Sequence, residues 1–210
     1  MAKIKDGILG PFSGKVGTVI GGMWKTVAYI RAVPKTKTKR RRTARQIATQ
    51  EKMRFINNFL VPFHPYITVG LVNEAANKTE ISAAFSLNYH TTFSGTDPNI
   101  SIDYSKFIFI KGTLPMVTDM VVTLVDGVVQ ITWKSENGKV AHFNDQMMVV
   151  LYSNQLNEAD GFTGGVNRSA KKCSIPLKQR FIGKEIHVYI SITSIDRKRI
   201  ANNVYLGKLG

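Results

Sequence analysis

Cysteine is nearly absent from this sequence, since Cys173 is the only one among 210 residues. A single cysteine cannot form a disulfide within its own chain, which excludes a disulfide scaffold. No run of about 18 apolar residues occurs, and the apolar core of a signal peptide does not follow the first methionine. These absences predict a protein that stays in the cytoplasm or is associated with a particle, with no transmembrane segment.

Acidic residues are also scarce, with 14 Asp and Glu against 29 Lys and Arg. The imbalance is concentrated near the start, because the first fifty residues contain twelve cationic side chains and Asp6 as their only acid. The hydrophobic content of 43% is ordinary, so the chain is expected to fold and to bury a core of its own. Such a local excess of positive charge favours a polyanion or an acidic protein surface as a partner.

Groups for catalysis or metal binding are dispersed along the chain. The four histidines share no metal-ligand spacing; they are His64, His90, His142 and His187. The stretch GPFSGK, residues 10–15, is one residue too short for a phosphate loop, and Val16 stands where that loop needs Ser or Thr. No carboxylate pair is placed for acid–base work. The sequence therefore predicts neither an enzyme nor a bound metal or cofactor.

Residues 8–33 combine glycine with apolar and β-branched residues, a pattern typical of short strands and tight turns. Gly21-Gly22 can supply the positive φ of a two-residue turn, which predicts a hairpin between residues 16–20 and 24–31. A two-stranded ribbon is marginal alone and has to pack on the rest of the chain or on another subunit. We predict an assembly hairpin with these key residues: Gly14, Gly17, Gly21, Gly22, Trp24 and Tyr29.

A basic run follows the hairpin. Its candidate polyanion-binding residues are Arg31, Lys35, Lys37, Lys39, Arg40, Arg41, Arg42 and Arg45. A segment that neutralises several phosphates releases counterions and binds without regard to base sequence. Aromatic side chains that stack on bases are not interleaved in the run. Three roles remain open for it: binding a polyanion, acting as a solvated arm, or packing against acidic surfaces of sister subunits.

Two helices are expected between residues 43 and 95. Thr43 and Gln46 have capping-box spacing at the start of the first, TARQIATQEKMRFINNFL. Pro62 and Pro65 are predicted to end this helix and to impose an extended connector. The second lies within NEAANKTEISAAFSLNYHTTF and ends before Gly95, and we expect the two helices to pack together.

From Ile102 onward the apolar pattern has a period of two, which predicts seven strands in an antiparallel sandwich. The predicted strands are SKFIFIKG, MVVTLVD, VVQITWK, QMMVVLYSN, KKCSIPL, EIHVYISITS and NNVYLGKL. Asp126-Gly127 is the clearest hairpin turn. The polar segment NEADGFTGGVNRS, residues 157–169, is expected to be a loop, with Phe162 as a candidate contact residue.

Two resemblances to known families accompany these patterns. Trp133, Tyr152, Tyr189 and the final NNVYLG strand resemble a fibronectin type III domain over residues 102–210. The segment GKVGTVIGGMWKTVAYIRAVPKT with the TARQ helix is similar to an uncharacterised family of small Bacteroidota proteins, a domain of unknown function. It has a looser likeness to phage-associated hypothetical proteins. The second resemblance implies no activity.

Together these observations predict an α+β, mainly β protein with two domains. Residues 1–100 form a basic, glycine-rich hairpin and helical assembly segment, and residues 101–210 form a fibronectin III-like sandwich. The leading hypothesis is a non-enzymatic, phage-like structural protein that forms a homo-oligomer. Its basic segment anchors it to sister subunits or to a polyanion, with the sandwich presented outward. The alternatives are a sequence-independent DNA- or RNA-binding protein that uses the sandwich to bind proteins, and a hydrolase that uses the polar loops.

Overall fold

The computed structural model describes residues 2–4, 7, 10–35, 41–96, 98–135 and 141–210. The chain divides into two compact units, residues 1–42 and residues 43–210. This division differs from the expected boundary near residue 100. The reason is tertiary, because the helices after residue 43 share one hydrophobic cluster with the later strands, so they belong to the second unit.

The first unit is a four-stranded antiparallel sheet in the order of the chain. Its strands are β1 (Lys3–Ile4), β2 (Phe12–Val16), β3 (Val19–Trp24) and β4 (Val27–Ala32). The two tight turns lie at residues 17–18 and 25–26, where Gly17 and Lys25 have φ of 53° and 52°. The predicted Gly21-Gly22 turn is therefore wrong, since both glycines lie in the middle of β3.

The second unit begins with α1 (Ala44–Leu60), and the capping box predicted at its start is confirmed. The Gln46 amide donates to Thr43 Oγ1 over 3.3 Å, and the Thr43 amide donates to Gln46 Oε1 over 3.0 Å. The two hydrogen bonds satisfy two of the amides that every helix start leaves unpaired. Residue 43 is thus a fixed helix boundary within the basic run, and Arg45 belongs to the helix.

The prediction that Pro62 and Pro65 begin an extended connector is wrong. Pro62 lies in the first turn of a 3-10 segment, Val61–Phe63, and Pro65 lies in the first turn of α2 (His64–Gly70). Proline is tolerated there because the first amides of a helix have no partner within it. A further 3-10 turn, Val72–Glu74, leads to α3 (Glu80–Asn88), which packs in one cluster with α1 as expected.

Nine strands follow α3 in the part of the chain that the structure describes. They are β5 (Phe93–Ser94), β6 (Ser101–Ile102), β7 (Thr118–Val125), β8 (Val128–Lys134), β9 (Gln146–Ser153), β10 (Glu158–Asn167), β11 (Lys172–Pro176), β12 (Ile186–Thr193) and β13 (Val204–Leu209). Strands β5 and β6 pair with each other. The others form an antiparallel four-stranded sheet, β10-β9-β12-β13, and an antiparallel three-stranded sheet, β11-β8-β7.

Two assignments made from the sequence, one strand and one loop, are wrong. SKFIFIKG is not a strand; Phe107, Phe109 and Ile110 are buried among helices, and two asparagine side chains bond its backbone. The Ile108 amide donates to Asn88 Oδ1 over 2.8 Å, and Asn203 Nδ2 donates to the Phe107 carbonyl over 2.8 Å. Residues 158–167, expected to be a loop, form β10 instead.

The four-stranded sheet is the middle layer of the second unit. One hydrophobic cluster joins it to the three-stranded sheet through residues such as Val149, Val188 and Ile131. The other cluster joins its opposite face to the helices through Tyr152, Tyr189 and Phe59. Because strand β9 is buried on both faces, its residues 147–152 form a continuous apolar run.

Candidate assembly and polyanion interface

Strand register in the first unit places alternate side chains on two opposite faces of its sheet. We call one the apolar face, which consists of Ile4, Phe12, Gly14, Val16, Val19, Gly21, Met23, Ala28, Ile30 and Ala32. We call the other the cationic face, which consists of Lys3, Ser13, Lys15, Ile20, Gly22, Trp24, Val27, Tyr29 and Arg31. The two faces differ in chemistry although both come from the same four strands.

The apolar face is exposed to an unusual degree. Ile30 is 66% exposed, Ile4 is 60% exposed and Met23 is 57% exposed, and no described residue of this face carries a charge. An apolar sheet face is ordinarily buried against another layer. The described elements of residues 1–42 are only the four strands, so this unit contains no second layer among its described residues.

Gly21 explains how the apolar face is packed internally. A Cβ atom built at Gly21 would overlap the carbonyl oxygen and the ring of Phe12, so this ring lies across β3 where a side chain would stand. A groove next to the ring is lined by Gly10, Pro11, Phe12, Ala28, Tyr29 and Ile30. The glycine is thus required by contact between strands and not by a turn.

The cationic face carries a row of side chains that crosses three strands. Lys15 of β2 and Arg31 of β4 both pair with Ile20 of β3. Two strand spacings separate the cations by roughly 10 Å. Both are exposed, and no ion pair between described residues involves either of them. The positive charge of this face is therefore available to an outside anion.

Two aromatic side chains share the cationic face. Tyr29 pairs with Gly22, and a Cβ atom built at Gly22 would lie 2.8 Å from Tyr29 Oη and 2.9 Å from Cζ. The Tyr29 ring therefore lies against the backbone of β3. Trp24 is its diagonal neighbour, at about 7–8 Å by sheet geometry. Tyr29 is 45% exposed and Trp24 is 43% exposed. The basic run itself contains no aromatic side chain. On the cationic face, by contrast, strand register places aromatic side chains next to cationic ones.

The residues of the predicted polyanion site are only partly brought together. Arg31 is in β4, Lys35, Arg41 and Arg42 are exposed outside the strands of the first unit, and Arg45 is exposed in the first turn of α1. Lys37, Lys39 and Arg40 lie outside the described residues. Sequence reasoning missed Lys3 and Lys15. These two lysines could be assigned to the cationic face only from the pairing of their strands with neighbouring strands, and that register is not evident from the sequence.

The predicted contact loop around Phe162 is corrected by the structure. Phe162 lies in β10 opposite Val149, and it is half-buried against the cluster between the two sheets. The register shifts after Phe162, where Gly164 and Gly165 have φ of 150° and 109°. The glycines of this segment therefore permit the irregular backbone of an edge strand, and Phe162 packs against the hydrophobic core.

In the second unit, His187 is the most enclosed histidine and lies among aromatic rings. Its Nδ1 is 2.8 Å from Tyr205 Oη, and its ring stacks on that of Tyr104 with 3.7 Å between centroids. Burial lowers the pKa of His187, while nearby Glu185, which is bonded to Lys208 over 2.7 Å, acts in the opposite direction. These contacts join a 3-10 turn to β12 and β13, so the group has a packing role.

Among the described residues, no group of three or more His, Cys, Asp or Glu is placed to hold a metal ion. No helix in the described part of the chain is long and apolar enough to cross a membrane.

The structure is that of a mixed α+β protein with an N-terminal four-stranded sheet, a helical layer and further antiparallel sheets. The chain belongs to a family of unknown function, DUF6266, whose model matches residues 11–207. The match extends across both compact units, from just before β2 into β13. No curated protein and no solved structure matches the chain.

Proposed function

We propose that this chain is a non-enzymatic structural protein that assembles with sister copies through the apolar face of its N-terminal sheet. One observation carries the proposal, namely the exposed apolar face that no second layer covers in the described residues of its unit. A sheet of this kind gains stability when another layer removes its side chains from water.

A second copy of the chain is the occupant that the charges favour. The formal net charge is +15, so two copies repel each other over most orientations. The apolar face lacks charge among its described residues, and it is therefore where this repulsion is weakest. Two such faces packed about 10 Å apart complete the missing layer for each other. When the same surface of two copies forms the contact, the two copies make a symmetric dimer with no free contact surface left over.

The second unit would then be presented outward as a fibronectin III-like sandwich. The resemblance to such a sandwich is supported by its two antiparallel sheets, which have four and three strands. These sheets also share one hydrophobic cluster. The helices on the opposite face of the four-stranded sheet are an addition that the resemblance does not imply. The Bacteroidota origin and the phage-like setting stay predictions from the N-terminal motif.

The test measures molecular mass in solution for the full chain. We expect an oligomer for the natural protein and a monomer for Ile30→Glu, because a charge placed in the contact stays hydrated and opposes burial. Ile195→Glu is the matched control, since Ile195 is also 66% exposed but lies in the second unit. This control should keep both the natural mass and the natural melting temperature.

Two outcomes would contradict the proposal. The first is a monomeric natural protein at about 100 μM, and the second is an oligomer that Ile30→Glu leaves intact. If Ile30→Glu instead lowers the melting temperature of a monomer, the apolar face is covered by another part of the same chain.

Sequence-independent polyanion binding is a second candidate function, with the sandwich as a module that binds proteins. It is favoured by the exposed row of Lys15 and Arg31 on one face of the sheet. The salt dependence of binding is its test, since affinity carried by such cations falls steeply as salt rises.

A further inference from the structure

The cationic face has a feature that charge alone does not require, which is a pair of exposed aromatic rings. Tyr29 and Trp24 keep nearly half of their surfaces in contact with solvent. Large aromatic side chains usually lie in a core or an interface, where their apolar area is removed from water. A partner that covers these two rings would therefore gain binding free energy, because it removes their apolar area from water.

Gly22 determines how the Tyr29 ring is presented. Because Gly22 has no side chain, the ring lies across β3 against the backbone, within about 3 Å of where a Cβ atom would be. The strand thus supports the ring, and Tyr29 remains 45% exposed. A supported ring loses little freedom when a flat group stacks on it, which lowers the entropic cost of binding.

The cations lie where a charged backbone would run beside stacked groups. Arg31 is two residues from Tyr29 along β4, and Lys15 lies across the sheet from Arg31 on the same face. The sole acid of residues 1–42 is Asp6, which is outside the described residues. Stacking rings next to a cationic track are the two components by which proteins bind unpaired nucleic-acid strands.

We propose that the cationic face binds single-stranded nucleic acid, with bases stacked on Tyr29 and Trp24 and phosphates held by Lys15, Arg31 and Lys3. The proposal deepens the second candidate function, and it rests on the polyanion binding proposed for that function. Unpaired bases are required because the faces of paired bases are already covered within a duplex. An antiparallel sheet suits such a strand, since neighbouring strands present their aromatic side chains side by side.

The two faces of the sheet can be used at the same time. Side chains of the apolar face point away from those of the cationic face, because neighbouring residues of a strand alternate. An assembly formed through the apolar face would therefore keep Tyr29 and Arg31 accessible. Several cationic faces on one assembly would bind one strand with greater total affinity than a single face.

The experiment is a fluorescence-anisotropy titration of the full chain at about 100 mM salt. The probes are labelled oligothymidine of about 20 nucleotides, the RNA of the same length, and a DNA duplex, with heparin as an unlabelled competitor without bases. We expect tighter binding to the single strands than to the duplex. Tyr29→Ala and Trp24→Ala should each weaken single-strand binding roughly 5- to 100-fold, as stacking losses do.

Three variants separate stacking from charge and from folding. Tyr29→Phe keeps the ring and should retain most of the affinity. Gly22→Ala keeps the tyrosine but lifts its ring, because the new methyl group would lie 2.8 Å from Oη, so it should weaken binding. Phe143→Ala is the matched control, since Phe143 is 65% exposed and lies in the second unit, and it should change nothing.

The outcomes distinguish this inference from the functions on which it depends. If Tyr29→Ala and Trp24→Ala bind oligothymidine as the natural protein does, the stacking site is wrong. Polyanion binding would survive that result if Arg31→Gln still weakened binding to every probe. Equal affinity for duplex and single strands would also overturn the inference. Self-association is read separately, because the mass of the Tyr29 variants should not change.

Discussion

At the scale of single residues, the neighbouring glycines of β3 have different tasks on opposite faces of one sheet. Gly21 admits the ring of Phe12 on the apolar face, and Gly22 admits the ring of Tyr29 on the cationic face. Neither glycine has a positive φ. Their value lies in the missing side chain, which lets an aromatic ring from another strand cover the backbone.

His187 provides a residue-scale prediction on pH. Its pKa is lowered from the usual 6.5, mainly by burial, so the folded protein resists protonation that the unfolded chain accepts. The groups that face it are Tyr104, Tyr205, Glu185 and Lys208. Stability should be unaffected by His187 above about pH 6.5 and should fall as pH decreases below that value toward the folded pKa.

Thermal unfolding at pH 7.5 and pH 5 measures this effect for the natural chain and for His187→Gln. The variant should be less stable at both values, since it loses the stacking contact with Tyr104. Its further loss on acidification should be smaller than that of the natural chain, because glutamine does not take up a proton. If the natural chain and the variant lose the same amount of stability between pH 7.5 and pH 5, protonation of His187 does not contribute to the pH dependence of stability.

At the scale of elements, the capping box sets the start of α1. Thr43→Ala removes the hydroxyl that accepts from the Gln46 amide, and we expect a loss of about 1 kcal/mol in the free energy of unfolding. Thr49→Ala is a control on the same helix, because the Thr49 hydroxyl donates to the Arg45 carbonyl four residues earlier. That bond adds little to a helix, so this variant should be nearly neutral.

Denaturant unfolding of the two threonine variants gives the measurement. A Thr43→Ala protein as stable as the natural one would mean that packing alone defines the start of α1. Helical content by circular dichroism should remain close to the natural value in both variants, since the buried residues Ile56, Phe59 and Leu60 hold α1 in place.

At the scale of the whole molecule, the uneven charge predicts how polyanion binding responds to salt. The logarithm of the affinity for a single strand should fall linearly with the logarithm of salt concentration. Lys15→Gln or Arg31→Gln should each reduce that slope by about 0.7, the value for one phosphate contact on a single strand. Lys172→Gln is the control, because Lys172 is an exposed cation of the second unit.

Anisotropy titrations between 50 and 200 mM salt measure the slopes. A slope that stays unchanged in Lys15→Gln and in Arg31→Gln would place the phosphate contacts elsewhere in the chain. The basic residues 35 and 41–42 would then be tested in the same way.

The predictions that succeeded concern short stretches of sequence. Thr43 and Gln46 act three residues apart within one turn of helix. Asp126 and Gly127 form the predicted hairpin turn, with φ of 49° and 74°, and they join β7 to β8. Such features depend on hydrogen bonds and torsion angles of a few neighbouring residues, which the residue types determine directly.

The assignments that failed depend on partners far along the chain. SKFIFIKG alternates like a strand, but Asn88 and Asn203 take up backbone groups that a ladder would otherwise pair. Residues 158–167 look like a polar loop, but their backbone pairs with β9. The prolines after α1 fall at positions where helices start anew. In each case a tertiary contact outweighs the local preference.

The amino-acid sequence by itself determined the excess of positive charge near the start, the cap of α1, the hairpin at Asp126-Gly127 and the β-rich second half. The tertiary structure decided that Lys15, Arg31, Trp24 and Tyr29 share one face, with an apolar face behind them. The physical reason is strand register, because a shift by one residue would exchange the two faces. Register is set by pairing between strands, which no single stretch of sequence contains.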